Sequence, residues 1–244
     1  MLLNPTIYGA ASPGPIASID FIRKGQYPAY SSSVFYSTAL WCESYIFGTA
    51  GSEISPITSL NTIDLPECLY IGYAAFAAPY VSVPLSISLP KCEYIDTNAF
   101  SYCQVTSLCA PAVTFVQSEA FAGCIMSSIE LPACSYISSA AFASSPNLRY
   151  VSLAECKYVG NIAFTACQNI EVHLPKCERI MNQAFQAANL SLYMESITSV
   201  PTLATSTGTF YSSTVKIYVP SSLYSAFMTA YGWSVVSSRI YSLP

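Results

Sequence analysis

Apolar and polar positions along this chain repeat in one long phrase. Written from Leu60, it is Leu60-x-x-Ile63-x-Leu65-x-x-Cys68-x-x-Ile71-x-x-x-Ala75-Phe76. Its second half returns as Cys92, Ile95, Ala99-Phe100; Val113, Val116, Ala120-Phe121; and Cys134, Ile137, Ala141-Phe142. It returns again as Cys156, Val159, Ala163-Phe164 and as Cys177, Ile180, Ala184-Phe185. The repeated Phe residues are 24, 21, 21, 22 and 21 positions apart. A period in the twenties predicts a solenoid, because one phrase cannot bury its own apolar face and must stack on copies of itself. The predicted fold is a β-rich solenoid of coils of about 21–24 residues, about seven to eight of them, with a short C-terminal capping helix.

Within a coil, Ile63-Asp64-Leu65, Ile129-Glu130-Leu131 and Val172-His173-Leu174 alternate as short strands do, aliphatic inward and the middle residue outward. Pro66, Pro90, Pro111, Pro132 and Pro175 follow, where a residue without an N–H ends pairing at a turn; Ala154 stands there in the fifth coil. The second half starts extended at Tyr70-Ile71 and turns at Ala75-Phe76. Phe76, Phe100, Phe121, Phe142, Phe164 and Phe185 should then stack into one aromatic spine.

The ten cysteines fall into lines. Cys68, Cys92, Cys134, Cys156 and Cys177 share one repeat position, and Cys103, Cys124 and Cys167 share another, three residues after the Phe. Stacked equivalents lie about 4.8 Å apart with parallel Cβ vectors, whereas a disulfide needs Cβ atoms about 3.5–4.5 Å apart and facing. Free buried thiols are expected, with Cys109 the exception because its strand position is outward.

Three segments follow: an irregular N-terminal cap or docking segment over 1–41, the solenoid over 42–220 and a C-terminal cap over 221–244. Pro13-Gly14-Pro15 marks a turn, and residues 16–22 suit an irregular strand with Ile19 and Phe21 on one face. Cys42-x-x-Tyr45-Ile46 echoes Cys68-x-Tyr70-Ile71 and marks a degenerate first coil. Phe210 with Val215-x-Ile217-x-Val219 reads as the last coil. After it, Ser221 or Ser222 is placed to cap a helix through about Tyr231, with Leu223, Phe227 and Ala230 on one face. Gly232 can end that helix, and Trp233 can pack back on the coils.

Two outward surfaces repeat. The strand face carries Thr62/Asp64, Ser86/Ser88, Ser107/Cys109, Ser128/Glu130, Tyr150/Ser152, Glu171/His173 and Ser191/Tyr193. It is small and hydroxylic at first and bulkier from Tyr150 on, so Tyr150, Glu171, His173 and Tyr193 form either a protein- or glycan-binding site or an ordinary solvated strip. On the second surface Tyr70, Tyr94, Phe115, Tyr136 and Tyr158 precede the inward aliphatic residue, and Arg179 ends the row within cation–π reach. This stripe is either a self-supporting ladder or an interface, for a ligand or for self-association.

Composition narrows the function. Charged residues are only 9% of the chain, and nine Lys/Arg against thirteen Asp/Glu leave no basic field, so nucleic acid is not an expected partner. No run of about 18 apolar residues predicts membrane insertion. The N-terminal residues lack the basic and apolar regions of a secretory signal, Asn4-Pro5 interrupting them. The single His, His173, has Glu171 on its own face, which suits an ion pair without specifying a triad. Cysteines in lines do not converge as metal ligands must, and no nucleotide, calcium or hydrolase motif occurs. No catalytic residue, metal or cofactor is expected.

The repeated form Ile-x-Leu-Pro-x-Cys-x-x-Ile-x-x-x-Ala-Phe-x-x-Cys closely resembles the BspA-like class of leucine-rich repeats, across about residues 58–240. Tyr218-Val219-Pro220-Ser221-Ser222-Leu223, with Trp233 downstream, is similar to the closing segment of such proteins. The resemblance implies a non-enzymatic adhesion or attachment module at the cell surface or outside the cell, with no catalytic residues to carry over. The alternative is a structural component of a larger assembly such as a phage or surface fibre, which would place the chain in a virion or the cytoplasm.

Overall fold

In each coil a long strand and a two-residue strand bracket a turn, and each stacks only on its counterpart in the next coil. The computed structural model describes residues 21–22, 34–44, 60–77, 84–186, 188–204, 208–210 and 214–244. The two-residue strands form one parallel nine-stranded sheet that starts at Phe21–Ile22 and Trp41–Cys42. It runs through Tyr70–Ile71, Tyr94–Ile95, Phe115–Val116, Tyr136–Ile137, Tyr158–Val159 and Arg179–Ile180 to Thr202–Leu203. The chain is a parallel β-solenoid of about eight turns with a short C-terminal helix.

The echo at Cys42-x-x-Tyr45-Ile46 misplaces the first coil. Trp41 pairs with Tyr70 and Cys42 with Ile71, so Cys42 fills the inward aliphatic slot and not the cysteine slot. Cysteine is small and apolar enough for either place, and it is fully buried there. Tyr45, Ile46 and residues 13–19 lie outside the described residues.

The strand face divides in two. Val34–Tyr36, Thr62–Asp64, Leu85–Ser88 and Val105–Cys109 form a four-stranded sheet. Ser128–Glu130, Tyr150–Ser152, Gln168–His173, Ala188–Tyr193, Lys216–Pro220 and Ile240–Leu243 form a six-stranded one. At the break Leu108 is only half-buried, while Met126 of the following coil is buried in the core. The period of the inward positions alone did not foretell this interruption.

Turns are made by residues in the left-handed region two places before each Phe: Ala74, Asn98, Glu119, Ala140, Ile162 and Gln183, with φ between 47° and 59°. For a β-branched residue such as Ile162 this conformation is strained. It is held by stacking, since each Phe N–H donates to the carbonyl of the next coil's Ala, from Phe76 to Ala99 at 2.8 Å through Phe164 to Ala184 at 2.9 Å. The six Phe rings stack at 5.2–5.5 Å with planes within 10°. The column continues to Phe35 at one end and to Phe210 and Trp233 at the other.

The two cysteine lines have separate partners. Cys68, Cys92, Cys134 and Cys156 donate from Sγ to the carbonyl two residues on, at 3.2–3.4 Å, and Cys177 does so at 3.7 Å. Cys103, Cys124 and Cys167 donate to the Phe carbonyl of the preceding coil, at 2.8, 3.4 and 3.5 Å. Ser145 fills the same place and donates to Phe121. All ten thiols are free, and Cys109 alone is exposed.

At the C-terminus neither serine caps the helix. Pro220 is followed by a 3-10 turn, Ser221–Leu223, which takes both serines inside it; the helix is Tyr224–Thr229, with no side-chain cap. Phe227 is its buried residue, and Gly232 turns the chain at φ 82°. Trp233 is fully buried, packs on Phe210 and Phe227, and donates from Nε1 to the Pro201 carbonyl at 2.7 Å. The chain then returns as strand Ile240–Leu243, which the sequence pattern did not reveal, and adds to the strand face beside Lys216–Pro220.

Candidate binding face

Along the six-stranded sheet Val151, Val172, Leu192, Ile217 and Ile240 are buried, so strand alternation sends their neighbours outward. Register puts Ser152, His173, Tyr193, Tyr218 and Tyr241 in one outward row. Tyr150, Glu171, Ser191 and Lys216 form the row beside it.

The aromatic members touch in sequence. The His173 ring stacks on Tyr193 at 4.7 Å and 6°, and Tyr193 on Tyr218 at 4.5 Å and 9°. Tyr150 leans across to His173 at 5.4 Å, and Tyr241 follows Tyr218 at 5.5 Å. His173 Nε2 meets Glu171 Oε1 at 2.9 Å, and Nδ1 meets Glu195 Oε1 at 2.5 Å, so each ring nitrogen faces a carboxylate. Partial burial lowers the imidazole pKa, but hydrogen bonds to Glu171 and Glu195 and their charges outweigh it, and the net shift is upward from 6.5.

Tyr150, Glu171, His173 and Tyr193, picked out from sequence, are thus neighbours. Sequence reasoning missed three others. Tyr218 carried a readable signal, since Ile217 and Val219 alternate around it. Tyr241 lies in a strand outside the repeat phrase, and Glu195 comes from the turn after Tyr193.

The second stripe lies on the nine-stranded sheet. Tyr70, Tyr94, Phe115, Tyr136 and Tyr158 are half-buried, and Arg179, in register after Tyr158, is exposed. Tyr70–Tyr94 and Tyr136–Tyr158 stack at 5.2 and 4.4 Å, while Phe115 sits tilted between them at 6.2 and 6.0 Å. Trp41, overlooked in the sequence, extends the row at 4.8 Å from Tyr70. The Tyr70 hydroxyl donates to Asp96 Oδ2 at 2.5 Å. Burial and the neighbouring Asp96 push the Tyr70 pKa up, and burial does the same for Tyr94.

Chemically, the strand face offers phenol hydroxyls, an imidazole and carboxylates on one parallel sheet. Among the described residues, no group of three or more His, Cys, Asp or Glu is placed to hold a metal, and no helix is long and apolar enough to cross a membrane. No curated protein matches the chain. The BspA-type leucine-rich repeat region matches in six copies over residues 70–191, half of the 244 residues, in a repeat class that is generally non-catalytic and typically a binding module. The register, the Phe spine and that match agree: the chain belongs to the BspA-type leucine-rich repeat family.

Proposed function

We propose that this chain is a non-enzymatic attachment module that binds a protein or glycan partner through its strand face, over Tyr150, Glu171, His173 and Tyr193 and onward to Tyr218 and Tyr241. The observation that carries this reading is the unbroken outward column of rings flanked by two carboxylates. Aromatic side chains concentrate binding energy where they meet a partner. The stripe from Tyr70 to Tyr158 serves instead as a ladder, its rings half-buried and the Tyr70 hydroxyl engaged by Asp96. The family is often surface-associated, and a cell-surface or extracellular location suits attachment.

The test is a screen of the purified chain against arrays of defined glycans and of folded proteins, repeated with two double variants. Tyr193→Ser/Tyr218→Ser should abolish binding while the protein stays folded. Tyr94→Ser/Tyr136→Ser should lower the melting temperature and leave binding intact. The opposite assignment of effects would move the site to the other stripe. One observation favours the second reading, a part in a larger assembly: Tyr231 and Val235 on the C-terminal cap are 83% and 64% exposed, apolar surface suited to end-on docking. A particle that co-sediments with the chain and releases it on Tyr231→Ser/Val235→Ser would support that reading.

A further inference from the structure

We infer that the ligand of the strand face is an uncharged, extended 1,4-linked β-glycan lying along the solenoid axis, one sugar to each coil; this rests on the strand-face reading above. The rings of the column stack on one another, with His173, Tyr193 and Tyr218 within 9° of coplanar at 4.5–4.7 Å. Their faces are therefore occupied, and what they present outward is edges and hydroxyls. The surface is a row of directional donors and acceptors repeated once per coil. A partner that rewards such a row is polyhydroxylated, because each buried polar group must find a hydrogen bond.

Period and charge choose among polyhydroxylated and peptide ligands. Coils repeat at about 4.8 Å, while an extended peptide advances about 3.4 Å per residue and falls out of step within a few coils. The sugar rings of an extended 1,4-linked β-glycan advance by nearly one coil each and turn over at each step, so every ring falls in step with a coil and equivalent edges meet the row at every second one. Glu171 and Glu195, both held by His173, flank the centre of the column, with Lys216 the one cation in the row beside it. With the imidazole neutral the carboxylates outnumber that cation and disfavour uronic or sulfated chains. Tyr241, 44% exposed on the last strand of the sheet, ends the row with its ring tilted 31° against Tyr218.

The experiment is calorimetric titration with cello-, xylo-, manno- and chito-oligosaccharides of one to seven units, with oligogalacturonate as the acidic control. Affinity should climb with each sugar up to five, the number of rings from Tyr150 to Tyr241, and then level off, and the acidic control should not bind. Tyr193→Phe/Tyr218→Phe keeps the stacked rings and removes only hydroxyls. It should weaken binding about tenfold at an unchanged melting temperature. Absence of binding to all four series, affinity independent of length, or an unaltered constant for the Phe double variant each overturns the inference. If Tyr193→Ser/Tyr218→Ser abolishes capture of an arrayed protein while no oligosaccharide binds, the glycan inference falls and the strand-face reading stands. If neither protein nor glycan is bound, both fall.

Discussion

A thiol is a small apolar group with a weak donor, which suits a gap between coils where a backbone carbonyl points inward. That chemistry explains why Ser145 can replace cysteine in the second line, where the partner is the Phe carbonyl of the previous coil. Burial pushes the Cys68 pKa up to about 11 and those of Cys134, Cys167 and Cys177 up to about 12, so these thiols stay protonated and slow to react. One thiol, Cys109, should react quickly with an aromatic disulfide reagent at neutral pH, and all ten after denaturation; a native count well above one would show that the cysteine lines are open to solvent. Glycine carries a comparable constraint at residue 160, where an added Cβ would lie 2.5 Å from the Ser138 carbonyl carbon. Gly160→Ala should therefore cost about 1–3 kcal/mol in urea unfolding, and a neutral result would mean the two coils separate easily there.

At the level of elements, each column couples neighbouring coils. Phe142 is stacked on both sides, by Phe121 and Phe164, so Phe142→Ala should lower the unfolding free energy by about 3–5 kcal/mol. A loss below about 1 kcal/mol would mean the ring is not part of the spine. The imidazole of His173 links Glu171 to Glu195 across a turn, and its pKa is raised in the folded state. A raised base pKa stabilises the fold fully below the unfolded value, near 6.5, and that contribution fades as pH rises through the folded value. The stability difference between wild type and Glu195→Gln should thus be largest near pH 6 and vanish in alkaline solution. Being partly exposed, the pair should be worth only about 0.2–1 kcal/mol; a difference that grows with pH would have the wrong sign for this linkage. Elements also show where sequence reading stops. The Phe spine, both cysteine lines, the Trp233 cap and the Tyr150–His173–Tyr193 cluster were legible because each repeats or sits at a fixed offset from the repeat. Cys42 was misread because its side chain fits two slots, and only the pairing of Trp41 with Tyr70 decides between them. Tyr241 was missed because Ile240–Leu243 joins the sheet after a helix and two turns, with no repeat phrase to announce it.

For the whole molecule, stability is a chain of nearest-neighbour couplings, since each coil contacts only the next. Its ends are then the weak points, and the C-terminal end is closed by Trp233, which bridges the Phe column, the helix residue Phe227 and the Pro201 carbonyl. Trp233→Ala removes that bridge and leaves the last coil, with Leu203, Phe210 and Ile217 in its core, open to water. Its strand edges would also lose the cover that keeps them from pairing with other chains. Amide exchange should therefore accelerate first at 188–219 in this variant, while residues 92–160 keep their protection. The strand face should lose order from Tyr241 and Tyr218 backward, so any ligand that spans the column would be weakened before the middle coils soften. A single cooperative core would respond otherwise, with protection falling evenly from Leu60 to Ile240. That outcome would overturn the nearest-neighbour account.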